Sequence, residues 1–213
     1  MKKLLEQIQK LGVLPVIKIQ NADHAEGLGA ALMAGGLPAA EVTFRTEAAE
    51  EAIARMHKAY PDMLIGAGTI LTCEQADRAM AAGASFIVSP GLNPKVVGHC
   101  VEKGYPVIPG ICTPSELETA LSFGLEVVKF FPAEAAGGLP MIKAMSAPYG
   151  AVRFMPTGGI NQKNILTYLA NPKVLCCGGS WMVPEDRLLA EDFGAIEALV
   201  KEAVELVKSG KEA

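Results

Sequence analysis

The sequence predicts a parallel α/β fold closed as a single (β/α)8 TIM barrel, preceded by a short N-terminal helix. Three observations carry that expectation. Eight short apolar runs alternate with helix-like segments from end to end. Their starts recur every 20–26 residues, about the length of one strand–helix unit. The stretch after the first run, "IKIQNAD", lacks the glycine-rich turn that an open, doubly wound sheet carries there. Strict alternation implies a parallel sheet, and eight units without a long break imply closure.

The elements follow in order. Residues 1–12 read as an amphipathic helix, because Glu6, Gln7, Gln9 and Lys10 interrupt the apolar core that a signal peptide needs. The predicted strands are "VLPVIKI" (13–19), "AAEVTF" (39–44), "LIGAGTI" (64–70), "FIVSP" (86–90), "PVIPGI" (106–111), "EVVKFFP" (126–132), "VRFMPTG" (152–158) and "VLCCGGS" (174–180). The segments between them carry helix signals. "NADHAEGLGAALMAGG" ends in glycines. "TCEQADRAMAAGA" pairs Thr72 with Gln75 as a capping box and closes at Gly83. "TPSELETALSFG" has Thr113, Pro114, Glu116 and a closing Gly124. "GINQKNILTYLANP" stops before Pro172. One domain covers residues 1–213, with residues 210–213 expected as a loose tail.

Composition narrows the function. The net charge is −4 and no lysine- or arginine-rich run stands out, which speaks against nucleic-acid or anionic-membrane partners. No apolar run approaches the ~20 residues of a membrane span. Cys73, Cys100, Cys112, Cys176 and Cys177 form no CxxC pair, and their odd number favours reduced thiols in a cytoplasm. His24, His57 and His99 fall in predicted helices, away from the strand ends and away from ligand spacing. No metal and no cofactor is therefore expected.

In such a barrel the chemistry lies at the C-terminal strand ends. In "EVTFRT", Glu41, Thr43 and Arg45 alternate with Val42 and Phe44. An edge strand would turn that polar face to water, but a closed barrel has no solvated strand face, so the three residues point inward. Lys129 poses the sharper question, because it sits inside the apolar run "VVKFF". Pointing outward, it snorkels between helices. Pointing inward, it is desolvated, burial penalises its charge, and its free amine becomes a nucleophile for carbonyl carbon. Spacing alone leaves both open, and Glu41 in the same barrel favours the second. "MPTGGIN" and "CCGGSW" place glycine pairs at the ends of the last two strands, where many barrels hold phosphate.

With these residues in place, the chain resembles the 2-keto-3-deoxy-6-phosphogluconate (KDPG) and 4-hydroxy-2-oxoglutarate (KHG) aldolases. The motifs "EVTFRT", "GAGTI", "SPGL", "PGICTPSE", "KFFPAE", "PTGGI" and "GGSW" stand in order over residues 5–208. The resemblance implies a class I aldolase without metal or cofactor. In it Lys129 would be the Schiff-base lysine and Glu41 the acid/base residue. Arg45 and Thr69 would hold the pyruvate carboxylate, and Pro90 would line the site. Thr157, Gly158 and Gly159, with Gly178, Gly179 and Ser180, would bind phosphate. The substrate would be a phosphorylated 2-keto-3-deoxy sugar acid, the product pyruvate, and the assembly a homotrimer. Lys18 of "VIKIQ" either adds charge near substrate or is structural. Three alternatives stand beside this reading: another substrate for the same site, a phosphate-binding isomerase or epimerase, and a non-catalytic sugar-phosphate binder.

Overall fold

The protein's structure is a computed structural model describing residues 1–212. Helix α1 (Lys2–Leu11) leads into β1 (Val13–Ile17), and a 3-10 turn (Ala22–His24) into α2 (Ala25–Ala34). The alternation continues with β2 (Ala39–Thr43), α3 (Ala49–Ala59), β3 (Leu64–Gly68), α4 (Cys73–Ala81), β4 (Phe86–Val88) and α5 (Pro94–Lys103). The fifth strand, β5, comes in two segments, Val107–Ile108 and Gly110–Ile111. Then follow α6 (Pro114–Ser122), β6 (Val127–Phe130), α7 (Gly138–Ser146), β7 (Arg153–Pro156), α8 (Ile165–Leu169) and β8 (Cys177–Gly179). The short α9 (Glu185–Leu189) and the long α10 (Phe193–Glu212) complete the described chain.

All strand pairings are parallel. One arc runs from the first segment of β5 through β4, β3, β2 and β1 to β8, and a second joins the other segment of β5 to β6 and β7. Pro109 separates the two β5 segments, since it has no N–H for the ladder. Its carbonyl still accepts the Lys129 N–H at 2.9 Å. At the other seam, β7 meets the β8 region through two isolated bridges, Phe154 with Val174 and Thr157 with Gly178. The eight expected strands are thus present, and the ring curls into the barrel the sequence predicts. They are shorter than the apolar runs, with residues lost at both ends, as where the run 174–180 is a strand only over Cys177–Gly179.

Alternation sorts the apolar residues into two layers. Ile17, Val42, Ile65, Ile87, Val107, Val128, Phe130 and Phe154 pack against the helices outside. Leu14, Ala39, Phe86, Val88, Ile108, Val127 and Met155 fill the inside, and Leu5 and Ile8 of α1 close the N-terminal end over them. The helix starts follow local rules. Thr113 and Glu116 form the complete capping box expected of them. Thr72 also caps α4, but the Gln75 side chain accepts from the Leu71 N–H rather than from Thr72, so that box is half made. The expected loose tail is helical through Glu212, continuing α10, and Ala213 lies outside the described residues.

Candidate active site

The inward phase of β2 carries Glu41 and Thr43, both buried, while Val42 packs outward. The inward phase of β6 carries Val127 and then Lys129. The two polar strands meet across the barrel. Lys129 Nζ donates to Glu41 Oε1 at 3.1 Å, and the side chains are 6% and 0% exposed. That resolves the two readings of Lys129, since its ammonium lies inside and not between helices. A buried cation and anion tolerate this only as a pair, because removing one partner strands the other's charge. The Glu41 Oε2 atom is buried and has no hydrogen-bond partner among the described residues. One carboxylate oxygen thus holds the lysine, and the other remains a free acceptor. The Phe131 ring adds a cation–π contact, with its centroid 5.5 Å from Nζ.

Room for this pair is made by glycine. A Cβ at Gly68 would collide with the Glu41 carboxylate, and one at Gly66 would collide with the Phe86 ring. Both lie in the inward phase of β3, in register with Thr43 and Glu41. Sequence reasoning passed over these glycines, although small residues at alternate positions of a strand signal a close neighbour.

The other expected site residues gather at the same end of the barrel in separate groups. Thr43 Oγ1 donates to the Ile17 carbonyl at 2.8 Å and accepts from Arg45 Nε at 3.0 Å, which steers the guanidinium over the mouth. Arg45 and Ser180 line one polar cavity of about 340 Å³, with Val16, Lys18, Trp181 and Glu185 among its other walls. Thr69 follows β3 with φ +57°, a left-handed backbone that costs a β-branched residue on the order of 1–3 kcal/mol. Pro90 follows β4, and its carbonyl lies so close to Gly110 that no side chain fits there. Thr69 and Pro90 share the mouth through their strand-end positions. Neither has a side-chain hydrogen bond to the lysine–glutamate pair among the described residues.

The phosphate candidates are tied to the lysine's own loop. The Ala133 N–H donates to the Thr157 carbonyl at 2.8 Å, and the Glu134 N–H to the Gly158 carbonyl at 3.1 Å. Gly158 and Gly159 have φ of +99° and +82°, and Glu134 occupies the space a Gly159 side chain would need. The Tyr168 hydroxyl donates to Glu134, and burial together with that bond raises its pKa. Gly178 gives way to the Thr157 side chain, and Gly179 to the Trp181 ring. The roles of Glu134, Tyr168, Trp181 and Glu185 in shaping these loops escaped the sequence reading. Glu134, Tyr168 and Glu185 act through contacts distant in the chain, whereas the Trp181 ring folds back on Gly179 two residues before it.

A family model for KDPG and KHG aldolase matches residues 4–199. The chain belongs to the KDPG and KHG aldolase family. It is 50% identical to the 2-dehydro-3-deoxy-phosphogluconate aldolase of Treponema pallidum, over 96% of this chain and 97% of that one. It is 46% identical to the KHG/KDPG aldolase of Escherichia coli K12, over 92% of each. Among solved structures, the KDPG aldolase of Legionella pneumophila superposes with a TM-score of 0.90 at 42% identity, covering 93% of this chain and 97% of that one. That structure holds pyruvate captured as a covalent carbinolamine.

Proposed function

We propose that this member of the family is a class I aldolase that cleaves 2-keto-3-deoxy-6-phosphogluconate to pyruvate and glyceraldehyde 3-phosphate. The second substrate in this reading is 4-hydroxy-2-oxoglutarate, cleaved to pyruvate and glyoxylate. The buried Lys129–Glu41 pair, 3.1 Å apart, is the observation that carries it. Attack on a ketone needs the free amine, and Glu41 is placed to accept the ammonium proton. The amine adds to C2 of the substrate to give a carbinolamine. Glu41 returns a proton to the departing hydroxyl, and water leaves an iminium. Glu41 Oε2 then takes the C4 hydroxyl proton, directly or through a water, as the C3–C4 bond breaks. The electron pair moves into the iminium, the aldehyde departs, and an enamine remains. Protonation at C3 and hydrolysis release pyruvate and restore the lysine.

Arg45 and Thr69 hold the pyruvate carboxylate in this reading, and Pro90 walls the site. Thr157, Gly158, Gly159, Gly178, Gly179 and Ser180 hold the phosphate, whose binding energy positions the ketone against Lys129. The same reading has one barrel domain over residues 1–213, a homotrimer, and a cytoplasmic enzyme that needs neither metal nor cofactor.

The test combines pyruvate release from KDPG, with and without EDTA, and borohydride reduction in the presence of pyruvate. Turnover is expected to survive EDTA, and peptide mapping to find one adduct, on Lys129. Lys129→Arg is expected to abolish both adduct and turnover, because guanidinium stays protonated. An adduct on another lysine would refute the assignment.

A further inference from the structure

Lys18 stands one residue beyond the end of β1, in the inward phase of Val16, which faces Glu41 in the register. The Lys129–Glu41 chemistry makes no use of it. Its ammonium donates to Glu185 Oε1 at 2.8 Å, and the Gln20 amide donates to the same oxygen. Glu185 opens α9, the short helix after β8. Hydrogen bonds from Lys18 and then Gln20 hold the Glu185 carboxyl below its ordinary range, so it is ionised at neutral pH. An ammonium has three donors, and Glu185 takes one. Lys18 therefore keeps two donors, and it lines the same cavity as Arg45 and Ser180. Two cations and one carboxylate leave that wall with net positive charge.

We propose that Lys18 is a specificity-determining residue whose ammonium recognises the phosphate-bearing end of the substrate. The inference rests on the aldolase reading above. Without Lys18, only Arg45 would offset the Glu185 carboxylate that an incoming phosphate meets on that wall with Ser180. With it, the same carboxylate anchors a cation that the flexible lysine stem could not otherwise hold in one place. Two roles must be separated: direct contact with phosphate, and mere neutralisation of Glu185.

Wild type, Lys18→Met and the double variant Lys18→Met/Glu185→Gln are compared on KDPG and on its unphosphorylated counterpart, 2-keto-3-deoxygluconate. Direct contact predicts that Lys18→Met raises KM for KDPG on the order of 10-fold, with a smaller change in kcat. The kcat/KM preference for the phosphorylated substrate falls by about the same factor. The double variant keeps that loss. Recovery of the wild-type preference in the double variant would mean that Lys18 only neutralises Glu185, and would overturn the proposal. So would an equal loss on both substrates. A wild type that cleaves KDPG and forms the Lys129 adduct, with a preference untouched by Lys18→Met, removes this proposal alone. A wild type that cleaves neither substrate removes the aldolase reading and this inference together.

Discussion

The two halves of the barrel interior differ by a single pleat. In the lower half Leu14, Ala39, Phe86, Ile108, Val127 and Met155 pack under α1 with no polar side chain among them. Two residues further along the same strands stand Val16, Glu41, Val88, Gly110, Lys129 and Thr157. The backbone makes the same parallel pairing in both layers, as Ala39 with Leu64 and Glu41 with Gly66 illustrate. What changes is the side chain alone. The apolar layer supplies a rigid floor, and the floor lets the next layer hold a buried cation and anion at hydrogen-bond distance. Stability and chemistry are thus stacked along the strands rather than assigned to different elements.

Substitutions that keep one layer and disturb the other test this division. The largest effect is expected in the upper layer. Glu41→Gln removes the proposed proton carrier but keeps the shape, so the borohydride adduct on Lys129 should still form on long incubation, though more slowly because imine formation also uses Glu41, while turnover falls ~10²–10⁴-fold. Turnover near wild type would move the proton transfer to another group, and steady-state kinetics with adduct mapping decides it. The next effect belongs to the floor. Phe86 is fully buried over Gly66. Phe86→Ala should cost about 3–5 kcal/mol in urea unfolding through the cavity it leaves. The variant that still folds should keep its adduct on Lys129. Loss of the adduct in folded protein would mean the floor is part of the chemistry.

The smallest effect lies outside both layers. Burial alone would raise the pKa of Glu116. Hydrogen bonds from the Cys112 N–H and from the Thr113 hydroxyl and N–H outweigh it and hold the carboxyl below its ordinary value. A carboxyl lowered in the folded state stabilises above its unfolded pKa, and that contribution is lost as pH falls through the folded one. Glu116→Ala should therefore cost about 1 kcal/mol at pH 7, with the gap to wild type closing below about pH 4. A gap that stays constant into acid would assign the cost to helix propensity rather than to the charged cap. Turnover should be unchanged, which distinguishes a carboxylate that caps a helix from one that carries protons.

The layering also explains which parts were legible in the chain. Period-two alternation in "EVTFRT" puts Glu41 and Thr43 on one face, since phase is a local property, and the expected closure of the barrel turns that face inward. Lys129 was ambiguous because "VVKFF" is apolar on both sides of it, and only the partner strand decides which face is the interior. The Thr113 box was legible because all its atoms lie within four residues. Glu185 was not, because its partners Lys18 and Gln20 are more than 160 positions away, just past the end of β1, the strand that pairs with β8. The fifth strand was read as one run over 106–111, whereas Pro109 interrupts it, and nothing in the local pattern says that the sheet divides into two arcs there.

That division has a consequence for the chemistry. Glu41 rides on the six-stranded arc and Lys129 on the three-stranded one. Among the described residues no continuous ladder of hydrogen bonds spans from one to the other, for the seams are Pro109 on one side and two single bridges on the other. If the proposed chemistry holds, the 3.1 Å gap between Lys129 and Glu41 is set by how the two arcs fit together under the outer helices and α1. Such a gap would be retuned by repacking along the two seams, with Glu41 and Lys129 left in place.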